Sequence, residues 1–482
     1  MIVSEVTAIR GRRPPGAVWL LVGVALLAAS VVVYWRIIAI YPALWTHTDE
    51  WVYRAAGALI RRHPAALYHR RMGSPGHSKL PFTYPPFAAL AFALGSPVRF
   101  SIWQIALVVL DVILLPVITY ASLRISGQRG PRGAAVALVL AAVALWLEPV
   151  YMTMNFGQIN LILLALIIVD LALPDSSPWK GIGIGIAGGV KLTPLIFIPY
   201  LLATRRVRAG LVGLLSFAAT VGIGFAVLPA ASLDYWGGRF TQPGDLPNRV
   251  QNQSINGMML RLIPGSTAAH AAWLALAIVV VVAGLATAVA ASRRGLELLG
   301  IMLCAVTGLL DSPISWSHHW VWVVPALALM AAGARRGGAA GQTPAVRPRD
   351  WAGRGLGAGA ILAVFAMWPA PVGRLGRATH LLLPIGSLRL AINDTGHGYL
   401  GHAWYFLLHN LYVVAGLAAI AGAAAYLWAT RARASLARPP APQTAGDQAV
   451  PVPQQHLFSA RPRRTPGARR GHRGRVVPGE RP

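Results

Sequence analysis

A chain of 482 residues in which 55% are hydrophobic and only 12% are charged has too little polar surface to cover a water-soluble fold of that size. The net charge of +28 would suit nucleic acid, but the arginines lie in linkers between apolar runs and in the C-terminal segment, without zinc-ligand spacing. The composition therefore predicts an integral membrane protein and no nucleic-acid partner.

The first apolar run, residues 17–40, is longer than the core of a signal peptide and has no evident small-residue cleavage site after it, which predicts an uncleaved anchor. Several later runs are shorter than the roughly 20 residues that a full span needs, so their ends must extend into the flanking loops. The later candidate spans, long and short together, are 101–123, 134–147, 159–173, 211–228, 268–291, 296–310, 320–332, 358–368 and 403–428. We expect an all-α polytopic fold of about 10–13 transmembrane or membrane-embedded helices.

One apolar region is interrupted by a charge. Between residues 182 and 202 lie two short apolar pieces, flanked by Lys180 and Arg205 and broken by Lys191 and Pro194. Each piece is too short to span a bilayer comfortably. The pattern predicts a helical hairpin that enters the membrane and leaves it on the same side.

Short arginine-rich linkers all fall on the side of the N-terminus when the spans are threaded, so both termini are predicted to be cytoplasmic in a multi-pass cell-membrane protein. Residues 1–16 form the cytoplasmic N-terminus, 17–429 the membrane domain, and 430–482 a basic, Pro-rich tail predicted to be disordered. The predicted outer-face loops are 41–100, 148–158, 229–267, 311–319 and 369–402. The outer loop 41–100 is basic, which an anionic ligand would explain.

Polar clusters concentrate in these outer loops, which predicts a binding or active site opening outward, because polar groups near hydrocarbon are costly unless paired or hydrated. The clusters are HTDEWVY, LPFTYPPF, NFGQIN, NRVQNQSINGMMLR and DSPISWSHHW. The proline-rich LPFTYPPF segment fixes Tyr84 and its aromatic neighbours at the membrane interface, either to contact a sugar or lipid headgroup or as an anchor.

Two carboxylates are candidates for a general base. Asp49 and Glu50 are adjacent, so on a helix they point about 100° apart and only one can face a given pocket. The alternative is a solvated loop carboxylate. The single cysteine, Cys304, lies in an apolar run, has no possible disulfide partner and is interpreted as a small core residue.

Basic residues near these loops also have two interpretations. An unpaired ammonium at Lys191 would be expensive inside the membrane, so it could hold a phosphate, snorkel to an interface, or pair with Asp111 or Asp170. His318 and His319 could act on substrate or form a hydrogen-bonded interfacial pair. Adjacent histidines diverge and no third ligand has recognisable spacing, so a metal site is not predicted.

The ordered motifs resemble those of a known family. An outer-loop D-x-x-V-Y, then LY, LPFTYPPFAALAF, NFGQINLIL, GIAGGVKLTPLIF, NQSINGMMLR and SPISWSHHWVW are similar to glycosyltransferase family 87, over residues 46–325. The members of that family are bacterial polyprenyl-phosphate-mannose-dependent mannosyltransferases of the phosphatidylinositol mannoside and lipomannan pathways.

The resemblance implies a GT-C fold with its active site on the outer face. It implies transfer of mannose from a polyprenyl-phosphate donor to a lipid-linked glycan acceptor through an α-1,2 linkage. Asp49 carries over as the catalytic base and His318 and His319 as the family's paired histidines, while Glu50 stands where the family usually has an apolar residue. The residues predicted to contact substrate are Glu50, Tyr53, Tyr84, Asn155, Gln158, Lys191, Asn252, Gln253, Asn256 and Arg261, with Lys191 and Arg261 as phosphate candidates.

A lipid phosphate is already a good leaving group, so one base suffices and no cofactor or metal is expected. The partners expected are the polyprenyl-phosphate sugar donor, the glycan acceptor and membrane lipids. Two alternatives remain open: a transferase of the same fold that moves another sugar, such as arabinose or glucose, and a transporter or flippase of polyprenyl-linked sugars. Transporters commonly contain inverted repeats, and the sequence has no evident repeat.

Overall fold

Helices make up most of the chain, as the apolar runs predict. The computed structural model describes residues 16–40, 45–73, 79–241, 247–264, 267–332, 348–371, 382–386, 388 and 403–436. Most of the predicted outer loop 369–402, and the predicted tail from residue 437 onward, lie outside the described residues.

The first nine helices are α1 (Gly16–Ile40), α2 (Thr48–Ile60), α3 (Pro86–Gly95), α4 (Phe100–Ile125), α5 (Gly130–Ala144), α6 (Glu148–Phe156), α7 (Asn160–Leu171), α8 (Ile182–Val190) and α9 (Phe197–Ala203). They are followed by α10 (Val207–Val227), α11 (Pro229–Trp236), α12 (Ile255–Leu262), α13 (Thr267–Arg293), α14 (Glu297–Asp311), α15 (Val323–Ala332), α16 (Pro348–Phe365), α17 (Ala403–His409) and α18 (Leu411–Leu436). The structure also contains short 3-10 helices and two antiparallel strand pairs: β1 (Arg71–Met72) with β2 (Leu80–Pro81), and β3 (Met367–Pro371) with β4 (Leu382–Gly386).

Five described helices are long and apolar enough to cross a membrane: α1, α4, α10, α13 and α18. Large hydrophobic side chains are exposed along them, as at Leu21, Ile113, Leu215 and Ile278, which suits contact with lipid tails. Shorter apolar helices, including α3, α5 and α7, pack between them. The prediction of an all-α polytopic membrane fold is confirmed.

Small residues allow neighbouring helices to approach closely, which is the usual basis of packing in a membrane. A Cβ atom on Gly23 of α1 would lie 3.0 Å from the carbonyl oxygen of Ala135 in α5. Gly284 of α13 similarly packs directly against Thr307 of α14. Substituting either glycine would force these helix pairs apart.

The predicted helical hairpin is present. The beginning of α8 packs against Ala209 near the start of α10, and the end of α8 packs against Thr220, about three turns further along. The chain then breaks at Lys191, whose backbone is extended, and continues through a short 3-10 helix. Helix α9 returns along α10 to Gly210. Lys191 therefore occupies the tip of a re-entrant hairpin.

The turns rich in arginine meet at the base of this hairpin. Arg206, just before α10, donates to Glu297 at 2.7 Å and to Asp175 at 3.2 Å, so the turns after α7, before α10 and before α14 are joined. Arg293 donates to the backbone of Ala203 at 3.1 Å. The basic turns at Arg206 and Arg293 thus lie at one end of the helix bundle.

The structure differs from the predicted spans in three respects, the first being that the predicted span 358–368 leaves α16 at Phe365 and continues into β3. The predicted outer loops are partly helical, since they contain α2, α3, α6, α11 and α12. The predicted span 403–428 is divided at Asn410 into α17 and α18. The Gln253 side chain explains the division, because it donates to the carbonyl of His409 at 2.8 Å and accepts from the amide of Tyr412 at 3.0 Å. These bonds stabilise the helix ends at the break.

Candidate active site

A cavity of about 580 Å³ lies on the side of the bundle where the hairpin tip is found. This volume is in the range of small-molecule sites in proteins. Side chains from α2, the segment before α3, the start of α7, the hairpin tip, α13 and the segment after α14 line it. The polar residues of its wall include Asp49, Tyr53, Tyr84, Gln158, Lys191, Asp311, Ser312, Trp316 and His319.

The two adjacent carboxylates point in different directions. Asp49 lines the cavity, whereas Glu50 is fully buried and its Oε2 lies 2.8 Å from Nδ1 of His47. Glu50 also packs against Gly157, where a Cβ atom would come within 2.5 Å of the Glu50 side chain. Gly157 has a φ of 66°, which favours glycine as well. Of the two candidates, the geometry makes Asp49 the one available to a substrate in the cavity.

Asp49 belongs to a hydrogen-bonded group with two tyrosines. The Oε1 atom of Gln158 accepts from the hydroxyls of Tyr53 at 2.7 Å and Tyr84 at 3.1 Å, which leaves the Gln158 amide nitrogen to donate to Asp49. Burial raises the pKa of Asp49 to about 6, although the Gln158 hydrogen bond and the charge of Lys191 act in the opposite direction. A carboxylate with such a pKa can accept a proton near neutral pH.

Lys191 is held at the cavity by three neighbours. Its Nζ lies 2.8 Å from Nε2 of His319, 3.1 Å from Oδ1 of Asn160 and 5.8 Å from the centre of the Tyr84 ring. Burial, together with the charge of Lys191, lowers the pKa of His319 well below its usual value. The His319 ring is therefore neutral, and its Nε2 accepts the hydrogen bond from the ammonium. Among the described residues, no salt bridge to a carboxylate is found for Lys191, so neither Asp111 nor Asp170 is its partner.

The paired histidines are not equivalent. His319 faces the cavity, whereas His318 is buried with its ring edge-on to Phe156, 5.5 Å between centres. Neither ring nitrogen of His318 has a hydrogen-bond partner in the part of the chain that the structure describes. The predicted catalytic role for both residues therefore has geometric support only at His319.

Several predicted substrate contacts bind the protein itself. Asn252 accepts from the amide of Ser315 at 2.8 Å, and Asn256 donates to the carbonyl of Pro313 at 3.0 Å. Gln253 contributes its side chain to the break between α17 and α18. None of the three lines the cavity. The geometry does not support their predicted contact with substrate, because their amides bind backbone groups of the 311–317 segment and of the α17–α18 break.

Arg261 was predicted to hold phosphate, but its guanidinium points into the protein. It donates to the carbonyls of Arg249 at 2.7 Å and Asn252 at 2.9 Å, and to Oδ1 of Asn410 at 2.5 Å. The residue is buried and absent from the cavity wall. We use the name 252–261 clamp for the set formed by Asn252, Gln253, Ser254, Asn256 and Arg261.

Asn155 also lies behind the cavity wall, contrary to its predicted substrate contact. Its Oδ1 accepts from both the backbone amide and the hydroxyl of Thr46, each at 3.0 Å, and its carbonyl accepts from the amide of His47 at 2.9 Å. His47 has a φ of 48°, and α2 starts at the next residue. Asn155 thus fixes the beginning of the helix that carries Asp49.

Several residues of this site were not selected from the sequence, and two of them carry groups that matter for its chemistry. Asn160 supports Lys191, and Asp311 lines the cavity. Both belong to polar clusters that the sequence analysis singled out, NFGQIN and DSPISWSHHW. Among the described residues, no group of three or more His, Cys, Asp or Glu side chains is arranged to hold a metal ion.

The fold and the cavity define an integral membrane enzyme with a half-buried carboxylate and a lysine facing a common substrate site. A model of glycosyltransferase family 87 matches residues 82–313. The chain belongs to this family and is a membrane-embedded glycosyltransferase. No solved structure matches it.

Similar proteins extend the match beyond the family model. The chain is 33% identical over 330 residues, 64% of its length and 74% of the relative's, to the polyprenol-phosphate-mannose-dependent alpha-(1-2)-phosphatidylinositol mannoside mannosyltransferase of Mycobacterium tuberculosis H37Rv. A protein of the same description from Mycolicibacterium smegmatis is 33% identical over 355 residues, 66% of this chain and 76% of the relative. A phosphatidylinositol pentamannoside mannosyltransferase of Mycobacterium tuberculosis CDC 1551 is 31% identical over 356 residues, 72% of this chain and 78% of the relative.

Proposed function

We propose that the protein transfers mannose from a polyprenyl-phosphate-mannose donor to a lipid-linked glycan of the phosphatidylinositol mannoside type, forming an α-1,2 linkage. The named relatives carry out this kind of transfer according to their descriptions. The observation that carries the proposal is that Asp49 and Lys191 line one cavity and interact electrostatically. Such a pair supplies the base and the cation that transfer from a lipid phosphate requires.

Asp49 is the proposed general base. It removes the proton from the acceptor hydroxyl as the hydroxyl oxygen forms a bond with the anomeric carbon of the donor. The bond between that carbon and the phosphate oxygen breaks, and its electron pair leaves with the polyprenyl phosphate. In-line attack inverts the anomeric centre. The hydrogen bond from Gln158 orients the carboxylate for this role.

Lys191 is the proposed partner of the leaving phosphate. Negative charge grows on the polyprenyl phosphate as the glycosidic bond breaks, and an ammonium fixed in a partly dry site stabilises that charge strongly. His319 and Asn160 hold Nζ in place through the hydrogen bonds described above. The proposed reaction uses no metal ion and no cofactor.

The apolar wall of the cavity suits the lipid part of the donor. Val281 and Leu285 of α13 line the cavity together with Ile196 and Pro199 of the returning hairpin. Helix α13 is one of the long membrane helices and exposes Ile278 and Val282 on its outer surface. We infer that the polyprenyl chain leaves the cavity between α13 and the hairpin and enters the bilayer there.

We further propose that the cavity opens on the extracytoplasmic face. The basic turns around Arg206 gather at the base of the hairpin, and basic turns favour the cytoplasm. The cavity lies at the hairpin tip, away from that end. A cell-membrane enzyme with cytoplasmic termini and an outward active site satisfies both observations.

The function is tested with purified protein in lipid nanodiscs, mannosyl phosphopolyprenol and phosphatidylinositol mannoside acceptors. The expected products are free polyprenyl phosphate and an acceptor extended by one mannose, with an α-1,2 linkage established by linkage analysis. Polyprenyl-phosphate glucose and arabinose serve as competing donors. Transfer from one of these, and none from the mannosyl donor, would refute the proposed donor. Movement of intact donor across the bilayer without transfer would instead indicate a flippase.

A further inference from the structure

A second carboxylate in the cavity has no part in the reaction described above. Asp311 is the last residue of α14 and lines the same cavity as Asp49 and Lys191. It is partly exposed to that cavity. Within the described ranges, its carboxylate has neither a hydrogen bond nor a salt bridge, whereas Glu50 contacts His47 and Asp175 contacts Lys180.

The position of Asp311 does not favour a purely structural role. A negative charge at the C-terminal end of a helix opposes the helix dipole, which typically costs about 0.3–1 kcal/mol. Desolvation in a partly closed cavity adds to this cost. The surrounding protein therefore does little to stabilise the charge on the Asp311 carboxylate. A ligand that donates hydrogen bonds to it would stabilise that charge.

The segment that follows Asp311 is held rigidly. The carbonyl of Pro313 accepts hydrogen bonds from Asn256 at 3.0 Å and from Ser254 at 3.3 Å, both members of the 252–261 clamp. The next residue but one, Ser315, is bound by Asn252. A carboxylate next to so constrained a backbone is well placed to recognise a ligand in one orientation.

The chemistry of the cavity indicates the kind of ligand. Lys191 attracts phosphate, whereas an unpaired carboxylate repels it, so the neighbourhood of Asp311 suits a neutral group. Trp316 and Tyr235 line the same cavity and offer aromatic surfaces. Aromatic rings beside a carboxylate are suited to a sugar, whose C–H face packs on rings while its hydroxyls donate to oxygen.

We propose that Asp311 accepts hydrogen bonds from hydroxyl groups of a sugar ring in the cavity and so determines which sugar substrate is accepted. The inference rests on the proposed glycosyl transfer and adds a specificity residue to it. Both the acceptor glycan and the donor mannose carry such hydroxyls. Hydrogen bonds to a charged acceptor are worth enough to change apparent affinity by about 10-fold to 100-fold.

The test compares Asp311→Asn and Asp311→Ala with the wild type, determining KM separately for mannosyl phosphopolyprenol and for the mannoside acceptor. Asp175→Asn is the matched control, because that carboxylate lies at the base of the hairpin beside Arg206. We expect Asp311→Ala to raise one of the two KM values about 10-fold to 100-fold and Asp175→Asn to raise neither. A raised acceptor KM assigns the contact to the acceptor, and a raised donor KM assigns it to the donor.

Deoxy-sugar analogues provide the second measurement. The wild type should discriminate against the analogue that lacks the bound hydroxyl, and Asp311→Ala should lose that discrimination. Asp311→Asn preserves the shape of the side chain. If the alanine variant does not fold, the KM values and the discrimination of the asparagine variant decide whether Asp311 binds the sugar. Unaltered KM values and unaltered discrimination in a folded variant overturn the proposal. Absence of transfer by the wild type would refute the proposed function instead.

Discussion

The ammonium of Lys191 lies 2.8 Å from Nε2 of His319, so the tip of the re-entrant hairpin is tied to the segment that precedes α15. This single contact joins two motifs separated by 128 residues in the chain. Because the His319 ring is neutral, it accepts from the ammonium without neutralising its charge. Burial lowers the pKa of Lys191 to about 7, so below that pH its positive charge is available to an anion in the cavity.

We predict that Lys191→Met lowers kcat/KM for the donor about 30-fold to 1000-fold, because it removes a charged contact to the departing phosphate. Steady-state transfer assays at varied donor concentration measure the effect. Lys180→Met is the matched control, since Lys180 is also a buried lysine but binds Asp175 and the carbonyls of Leu171 and Leu173. Equal donor kinetics for Lys191→Met and the wild type would exclude the phosphate role.

Asp49→Asn should remove nearly all transfer, with a loss of about 100-fold to 10000-fold, because the amide cannot accept the hydroxyl proton. Donor binding, measured by retention of a labelled donor analogue, should persist. Glu50→Gln is the control, because Glu50 faces His47 rather than the cavity. If the glutamine variant were inactive and Asp49→Asn turned over normally, another base would have to be sought.

The rate of transfer should depend on the ionisation of Asp49. The base acts in its deprotonated form and Lys191 as its ammonium, whose pKa burial lowers to about 7, so kcat/KM should rise with pH through about 6 and fall again above about 7. Gln158→Leu removes a hydrogen bond that lowers the pKa of Asp49, so the rising limb should move to higher pH. A pH–rate profile that is flat between pH 5 and 8, or one that moves to lower pH in the variant, would contradict this assignment.

Arg261→Met should act on stability and not on donor affinity. The change removes the guanidinium donor from the carbonyl of Asn252 and from Oδ1 of Asn410, and one of two donors from the carbonyl of Arg249, at a cost of roughly 2–5 kcal/mol. Thermal unfolding in detergent should show a lower melting temperature, while donor KM of the folded enzyme stays near the wild-type value. A raised donor KM with an unchanged melting temperature would instead support the phosphate contact that the sequence suggested for Arg261.

Sidedness is tested by cysteine labelling in a Cys304→Ala background, so that the native thiol does not react. Thr241→Cys, on the exposed edge of the cavity, should react with a membrane-impermeant maleimide added to intact cells. Arg129→Cys, in an exposed basic turn, should react only after the membrane is opened. The opposite pattern would place the cavity in the cytoplasm.

Much of the fold could be predicted from the sequence, because the length of an apolar run and the residues that interrupt it are local properties of the chain. The hairpin is one example, since Lys191 and Pro194 interrupt an apolar run at the place where the structure turns back. The break at Asn410 could not be predicted in this way. The apolar run 403–428 is interrupted there only by the polar pair His409 and Asn410, and the break depends on Gln253, which is 156 residues from His409 in the chain.

The site was predicted in part for a related reason. Residue type suggested that Asn252, Asn256 and Arg261 bind substrate, but an amide or guanidinium binds a backbone carbonyl equally well. Only the three-dimensional arrangement shows that Asn252 and Asn256 hold the 311–317 segment, whereas Arg261 binds the carbonyl of Asn252 and the side chain of Asn410. The choice between Asp49 and Glu50 likewise required the structure, because adjacent helix residues always face different ways and sequence alone does not say which faces the cavity.

The hairpin formed by α8 and α9 has an evolutionary consequence. A segment that crosses the membrane once reverses the orientation of every helix after it, so gaining or losing such a segment inverts the rest of a protein. A segment that enters the membrane and returns to the side it came from adds no crossing, so the helices after it keep their orientation. A transferase of this architecture could therefore acquire, lengthen or rebuild the hairpin, and with it the lysine at its tip, while α10 and all later helices kept their orientation in the membrane.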